Sequence, residues 1–395
     1  MRVAICQPVL PRYRLPLFEL LGAQPEIELT VYAGQSEGSL ESVFQGEHFR
    51  ALAAPVKTIR TLRGYELRWQ SMRWEAVNSR RYDVVYLSWD MHYIDLPRHL
   101  RAAREQDIPI ILWGHGYSRW RRGFNDSLRN RFGRRADAVL LYTRTIAEKL
   151  INEAGYSRSQ VFVAQNALDQ RPIQAARQAW LNDPDGLKEF QRQHVLNPAA
   201  TIVFVSRLEP ANRTDLIIKA LPALRKMHPY AKVVIVGNGS DRNRLEHITE
   251  QLGQSKHVIF TGAIHDENQL APWMLSSTAF CYPDNVGLSM LHAFGYGVPA
   301  VISNKTEAQN PEVEALQDKV NGLLYHHLDV HDMVEKLLLL LDDSSLRARL
   351  SAAALQTVLE KYTLENMVQG FLDSLRIVDG QMRTIEMPAD ARVKS

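Results

Sequence analysis

Short apolar runs alternate with helix-length amphipathic stretches along this chain, and the alternation breaks off once before it resumes. RVAICQPV, ELTVYAG, DVVYLSW, IPIILWG, AVLLYT and VFVAQN carry it to Asn166, separated by segments such as RLPLFELLG and LPRHLRAAREQ. Strands spaced by helices belong in parallel sheets, because a parallel pair needs a crossover between its members. Beyond Asn166 come Pro172, the turn-like Asp183-Pro184-Asp185-Gly186 and one helical stretch, LKEFQRQHVL, which together read as a linker. TIVFVS, AKVVIVGN, HVIFTGA, TAFCYP and PAVIS then restart the pattern. A chain of 395 residues holds two domains of this kind. The predicted fold is therefore α/β, two tandem Rossmann-like domains facing each other across a cleft, over 1–170 and 198–362 with a linker at 171–197. LENMVQGFLDSL, within 363–380, is expected to return to the first domain, and 381–395 to form a flexible tail.

Cys6 and Cys281 both sit in apolar strand-like runs and read as reduced core residues, which fits a cytoplasmic protein. MRVAICQPVL is too short in its apolar part for a signal peptide, and no run is long enough to span a bilayer. The net charge of +3 conceals an asymmetry: bases outnumber acids up to residue 170, and the balance reverses afterwards. Two stretches carry the basic excess, RTLRGYELRWQSMRWEAVNSRR, with Trp69 and Trp74, and RWRRGFNDSLRNRFGRR. As amphipathic helices they suit an anionic membrane surface on the inner face of a cytoplasmic membrane; a solvated face over a buried tryptophan is the competing reading. No nucleic-acid-binding module is recognisable.

In SRLEPANRTDLIIKAL, Arg207 falls on a strand-to-helix loop and Arg213 at the start of the helix. Two guanidinium forks beside a helix N-terminus make a diphosphate site, against the plainer reading of two solvated arginines. VVIVGNGSDRNRLE places Gly237 and Gly239 between a strand and a helix, and Arg242 occupies the third position of a dinucleotide fingerprint. Gly239 is thus a site for close approach to a nucleotide or a plain tight turn. In PDNVGLSMLHAFGYGVP, Asp284 is placed to accept from sugar hydroxyls. The N–H groups of Asn285, Val286, Gly287 and Leu288 are placed to face a phosphate or sugar oxygen, and His292 to meet a ribose or to be a structural histidine.

In the first half, ILWGHGYS sets His115 between glycines just past a buried strand, where ligands bind in such sheets. Asp90 follows the strand VVYLS in the same way, and Arg14 lies in the loop before the first helix, positioned for an acidic substrate. Asp183 and Asp185 imitate a metal-binding Asp-x-Asp but read as turn chemistry, so no metal or other cofactor is expected.

Taken together these residues resemble the GT-B-fold glycosyltransferases of the group 1, family 4 type, over nearly the whole chain. Arg207 stands in the family's arginine position and Arg213 replaces its lysine. Asp284 and His292 occupy the places of two glutamates separated by seven residues, a replacement shared with a variant subgroup carrying Asn-Val-Gly-Leu. Glu312, Asn321 and Gly322 resemble the stretch that follows, GHG the position of the acceptor-domain histidine, and Asn166-Ala167-Leu168-Asp169 the family's Asn-Gly-Val-Asp. The glycine pair usual in the first loop is replaced by Arg12-Tyr13-Arg14. The resemblance implies an acceptor-binding first domain and a second domain that binds a nucleotide-diphosphate sugar. It further implies retaining, metal-independent transfer to a glycan or lipid-linked saccharide, in bacterial-type surface polysaccharide or glycoconjugate synthesis. Arg207, Arg213, His115 and Asp284 would be catalytic, and Arg14 and Asp90 would bind the acceptor. A nucleotide-sugar epimerase and a non-catalytic nucleotide-sugar-binding protein remain alternatives.

Overall fold

The computed structural model describes residues 1–34, 46–61, 66–70, 75–77, 80–117, 124–306 and 309–385. They form two units, one of residues 1–165 with the segment from 364 onward, the other of residues 166–363.

The first unit is built on seven parallel strands in the order β3-β2-β1-β6-β7-β8-β9. They are β1 Arg2–Gln7, β2 Glu28–Ala33, β3 Phe49–Ala53, β6 Val84–Ser88, β7 Ile110–Gly114, β8 Ala138–Leu141 and β9 Val161–Val163. Helices cover both faces of such a sheet, so its central strands need apolar side chains at every position. Val3 to Cys6 and Val84 to Leu87 are accordingly fully buried. The helix Leu364–Ile385 closes this unit. Its Phe371 ring lies 4.8 Å from Trp113 and 5.4 Å from Tyr86, and its Ser374 hydroxyl is 2.7 Å from the Tyr86 hydroxyl. Burying one such phenyl contributes about 2–3 kcal/mol. The first five residues of the expected tail, 381–385, continue this helix, and 386–395 lie outside the described residues.

The second unit has six parallel strands in the order β12-β11-β10-β13-β14-β15. They are β10 Thr201–Val205, β11 Lys232–Val236, β12 Val258–Gly262, β13 Ala279–Tyr282, β14 Ala300–Ser303 and β15 Gly322–Tyr325. Both sheets run outward from their first strand on one side and then continue on the other. Each therefore has a switch point, between β1 and β6 and between β10 and β13, where the loops leaving the strands diverge and leave room for a ligand.

Two expectations are corrected. Residues 171–197 do not stand apart as a linker: the helices Gln170–Leu181 and Pro184–Gln193 belong to the second unit. Pro172 lies in the first turn of one, where a missing N–H costs nothing. Pro184 opens the other, and Asp183 caps it by accepting from the Gly186 N–H at 3.0 Å. The second correction concerns ELRWQ, which forms strand β5 (Glu66–Gln70), antiparallel to β4 (Val56–Arg60), in a separate two-stranded sheet. Trp69 thus lies on a hairpin and not on an amphipathic helix; Trp74 and residues 119–123 of the other basic stretch are outside the described residues.

Candidate functional site

At the β10/β13 switch point two loops are tied together by side-chain amides. Asn285 donates to the Asn212 carbonyl oxygen at 3.2 Å, and Asn212, buried, donates in turn to the Arg207 main-chain carbonyl at 2.7 Å. Asn310 donates to the Asn285 carbonyl at 3.0 Å. Gln309, fully buried, accepts from the Val286 N–H at 2.6 Å and donates to Asp284 at 3.3 Å. Asn285 holds a left-handed φ of 62°, which an asparagine tolerates better than most residues. This brings the loop bearing Arg207 and the loop bearing Asp284 to one place. The Tyr282 phenol reports on both: burial pushes it up to about 12, with the Ser206 bond and the Arg207 charge working against that rise and Asp284 adding to it.

Arg207 is exposed, and among the described residues its guanidinium has no carboxylate partner. Arg213 is different. It sits at a left-handed φ of 53°, and its guanidinium reaches Asp215 at 3.1 Å. Asp215, only 3% exposed in its side chain, also binds Lys219 at 2.8 Å and lies 3.7 Å from Arg244, which is itself paired with Asp241 at 2.6 Å. Three cations thus share two carboxylates, and the cluster keeps an excess of positive charge beside the free Arg207. Of the two arginines expected at a diphosphate site, Arg207 is exposed without a carboxylate partner among the described residues, and Arg213 is held by Asp215.

Although burial alone raises the Asp215 carboxyl, bonds from Arg213 and Lys219 outweigh it and hold its pKa below the ordinary carboxylate value. A carboxyl lowered on folding adds stability that is present in full above its unfolded pKa and is lost as pH falls through the folded one. Asp215→Asn is expected to cost about 2 kcal/mol at pH 7. The figure stays modest because the cations left behind are 35–46% exposed and regain water. Urea unfolding below about pH 4 should show wild type and variant converging; parallel curves would mean that Asp215 is not titrating.

The glycine loop after β11 serves the same structure. A Cβ on Gly237, whose φ is 148°, would lie 1.8 Å from the Ser206 carbonyl oxygen, and one on Gly239 would lie 2.3 Å from that of Leu208. These glycines let the β11 loop lie against the Arg207 loop, where Leu208 donates to the Asn238 carbonyl at 3.0 Å. Gly239 is thus filled by backbone on the side where a Cβ would stand. Arg242 opens the next helix and pairs with Glu246 at 2.8 Å.

The loop entering the helix Leu288–Gly295 departs from expectation at two positions. Val286 is buried and its N–H is taken by Gln309, so it does not face a ligand. The Asn285 N–H is taken as well, donating to the Asp284 carboxylate at 2.9 Å. The His292 ring is met by Glu267 at 2.9 Å, and Glu267 also accepts from the Tyr296 hydroxyl at 2.6 Å. Burial raises the Glu267 carboxyl, and His292 with Tyr296 reverses the shift, leaving it below the ordinary value. His292 is therefore held, with its side chain 19% exposed, by a carboxylate that the sequence did not single out. Gly287 caps this helix with Asn310 close by, a Cβ there meeting the amide nitrogen at 3.2 Å. Asn166 donates to the buried Glu312, which joins two segments 146 residues apart that the sequence resemblance names.

In the first unit, Arg14 ends the short helical turn after β1, 7% exposed, its Nη2 donating to the Tyr142 hydroxyl at 3.1 Å. Its Cζ lies 4.6 Å from the Trp113 ring centroid, 5.4 Å from Tyr142 and 5.5 Å from Tyr13. His115 is exposed just after β7, with its ring 5.1 Å from Tyr142. Arg14, Tyr142 and His115 therefore form one connected group. Asp90 stands after β6 and is engaged by Arg68 at 3.3 Å and His92 at 2.6 Å. Among the described residues no group of three or more His, Cys, Asp or Glu is arranged to hold a metal ion.

Comparison with known proteins bears on this arrangement. Residues 188–357 match the family described as Glycosyl transferases group 1, and residues 21–171 match Glycosyltransferase Family 4. Among similar proteins is a GDP-mannose-dependent alpha-(1-6)-phosphatidylinositol monomannoside mannosyltransferase of Mycobacterium tuberculosis, 25% identical over 236 residues. That alignment covers 56% of this chain and 60% of the relative. A poly(ribitol-phosphate) alpha-N-acetylglucosaminyltransferase of Staphylococcus aureus is 25% identical over 187 residues, 47% of this chain and 36% of that protein. The matched part of this chain thus spans less than two thirds of each of these relatives. In fold, the chain is similar to Anabaena HepE in complex with UDP, with a TM-score of 0.71, 15% identity, and coverage of 95% of this chain and 99% of that one. A sucrose-phosphate synthase from Thermosynechococcus elongatus gives a TM-score of 0.68 at 14% identity over 96% of this chain and 100% of the other.

Proposed function

We propose, from the premise that this chain belongs to the group 1 glycosyltransferases of the GT-B type, that it moves a sugar from a nucleotide-diphosphate donor to a glycan or lipid-linked saccharide. The observation that carries the reading is Arg207: an exposed guanidinium, without a carboxylate partner among the described residues, at the β10/β13 switch point on a loop fixed by Asn212 and Asn285. Negative charge grows on the diphosphate as the glycosidic bond breaks. A cation already in place stabilises that charge more in the transition state than in the ground state. Arg207, backed by the positive cluster around Asp215 and by the N-terminus of Leu288–Gly295, supplies this charge from the protein, which supports metal-independent transfer. Asp284, fixed by Gln309, is placed to accept from donor-sugar hydroxyls, with Asn285 and Gly287 beside it. His115 orients sugar or acceptor, and the reaction is read as retaining, with the leaving phosphate taking the acceptor proton.

The two relatives named above act, by their names, on acceptors that bear phosphate. The basic excess before residue 170, with Arg14 and Arg68 near His115 and Asp90, supports an anionic acceptor for this chain as well. A surface polysaccharide or glycolipid assembled at the inner face of a cytoplasmic membrane fits both features. No helix among the described residues is long and apolar enough to cross a membrane, so contact with such a surface would be peripheral.

Thermal unfolding with a panel of nucleoside diphosphates and their sugars tests the donor half. One of them is expected to raise Tm at concentrations well above its Kd, and the matching donor to be consumed only when acceptor is supplied. A chain that binds none of them is not a transferase of this kind; an isomerised donor without acceptor would make it an epimerase.

A further inference from the structure

The hairpin β4–β5 is a sheet of its own with two unlike faces. Residues directly opposite one another on antiparallel strands share a face. Val56 with Gln70, Thr58 with Arg68, and Arg60 with Glu66 therefore lie on one side, and Lys57 with Trp69 and Ile59 with Leu67 on the other. The first side carries the hairpin's paired charges and its buried end, with Thr58 and Arg60 exposed. Glu66 pairs with Arg60 at 3.1 Å and Arg68 at 3.3 Å, Arg68 reaches Asp90, and the buried Gln70 donates to the carbonyls of Gln7 and Ala54.

The second side is open. Ile59 is 60% exposed and Trp69 38%, and Ile94, whose N–H donates to the Arg68 carbonyl, is 48% exposed. The Arg98 guanidinium stands 5.9 Å from the Trp69 ring centroid. Among the described residues neither Lys57 nor Arg98 meets a carboxylate, although nearly every other cation of the hairpin does. Aliphatic and indole side chains held in water between unpaired cations are costly unless something covers them.

We propose that this face, formed by Lys57, Ile59, Leu67 and Trp69 with Arg98 beside it, docks on an anionic lipid surface. The indole suits the headgroup level, the aliphatic side chains the shallow apolar layer beneath it, and the two cations the lipid phosphates. Charge decides the occupant: a second copy of the chain would set Lys57 and Arg98 against their own kind, whereas a layer of phosphates matches both. The inference deepens the reading of a lipid-linked acceptor and rests on it for its purpose. Arg68 carries the connection, lying in the same strand as Trp69 and bonding Asp90 on the opposite side, so that a surface-bound acceptor is delivered next to Asp90.

Co-sedimentation of the full chain with vesicles of phosphatidylcholine, with and without phosphatidylglycerol, tests this. The protein should partition onto the phosphatidylglycerol vesicles alone, and less so as salt rises. Lys57→Glu with Arg98→Glu should lower partition by at least about tenfold, and Trp69→Ser should lower it without changing the net charge. All three positions are exposed, so circular dichroism and Tm are expected to stay near wild type. Nucleotide-induced shifts in Tm, measured on the same variants, keep the two readings apart, since they should persist when partition is lost. Absence of partition onto phosphatidylglycerol vesicles overturns the proposal, as does partition that the variants leave unchanged. Concentration-dependent self-association abolished by Trp69→Ser would assign the face to a second copy and overturn it too.

Discussion

Replacing Arg207 with alanine is expected to lower kcat by about two to three orders of magnitude while the second unit stays folded. The size follows from what the residue is free to do. Its side chain is exposed and spends no hydrogen bond on a carboxylate, so its whole charge is available to a diphosphate. Removing one preorganised donor from a developing oxyanion costs about 3–4 kcal/mol, whereas trimming an exposed side chain costs the fold about 0.5 kcal/mol or less. Arg207→Lys should recover only part of the rate, because an ammonium keeps the charge but not the planar fork. Arg213 offers the contrast. Its guanidinium is already paired with Asp215 and its backbone is left-handed. Arg213→Gly relieves the backbone and, with Lys219 and Arg244 still near Asp215, should keep kcat within about tenfold of wild type. Steady-state kinetics with the donor identified by thermal shift checks both. A folded Arg207→Ala enzyme with near-normal kcat would remove Arg207 from the mechanism, and a greater loss at Arg213 would reverse the two roles.

The difference between these arginines was not legible in the sequence, and the reason is physical. Loop position after a strand follows from apolar patterning, so the placement of both residues could be read. Which guanidinium is spent depends on Asp215 being buried within reach of one of them, a tertiary fact. The same boundary runs through the rest of the chain. Strands such as RVAICQPV and TIVFVS announce themselves because a buried parallel strand must be apolar on both faces. FRALA, strand β3, is interrupted by an arginine at its edge position and carries no such mark. Pro172 and Asp183-Pro184 read as breakers, yet a proline in a first helical turn and an aspartate before it are start signals as much as stop signals. ELRWQ has arginine and tryptophan in the right proportion for an interfacial helix, and only its pairing with VKTIR shows that it is extended. Asn212, Gln309, Asn310 and Glu267 were missed altogether. Amides and carboxylates that fix a loop from more than 20 residues away leave no periodic trace, so the sequence leaves His292 open between a ribose contact and a structural role, and its partner Glu267 is visible only in the structure.

Arg14→Met is expected to reduce kcat/KM for the acceptor by about a hundredfold and yet leave Tm unchanged or raised, a combination that an ordinary buried residue does not give. Arginine is charged at every accessible pH. At 7% exposure this one has lost its water, its Nη1 has no hydrogen-bond partner among the described residues, and the groups around it are the rings of Trp113, Tyr142 and Tyr13. Desolvating an ion costs several kcal/mol, and each ring returns about 1–2 kcal/mol at best, so an apolar side chain of similar length holds the position at no greater cost. What methionine cannot do is donate to the Tyr142 hydroxyl, against whose ring His115 lies. Once that phenol is released, His115 loses the surface that fixes it, and a displacement of about 1 Å at a positioned group is enough for a hundredfold loss. Lysine should not restore the rate, because an ammonium cannot stack on Trp113 and reach the phenol in one fixed geometry. The split between substrates separates this positioning role from a structural one: donor nucleotide affinity should be unchanged while acceptor kcat/KM falls. A variant that loses several degrees of Tm but keeps its acceptor kinetics would show that Arg14 serves the core of the first unit and has no part in setting His115.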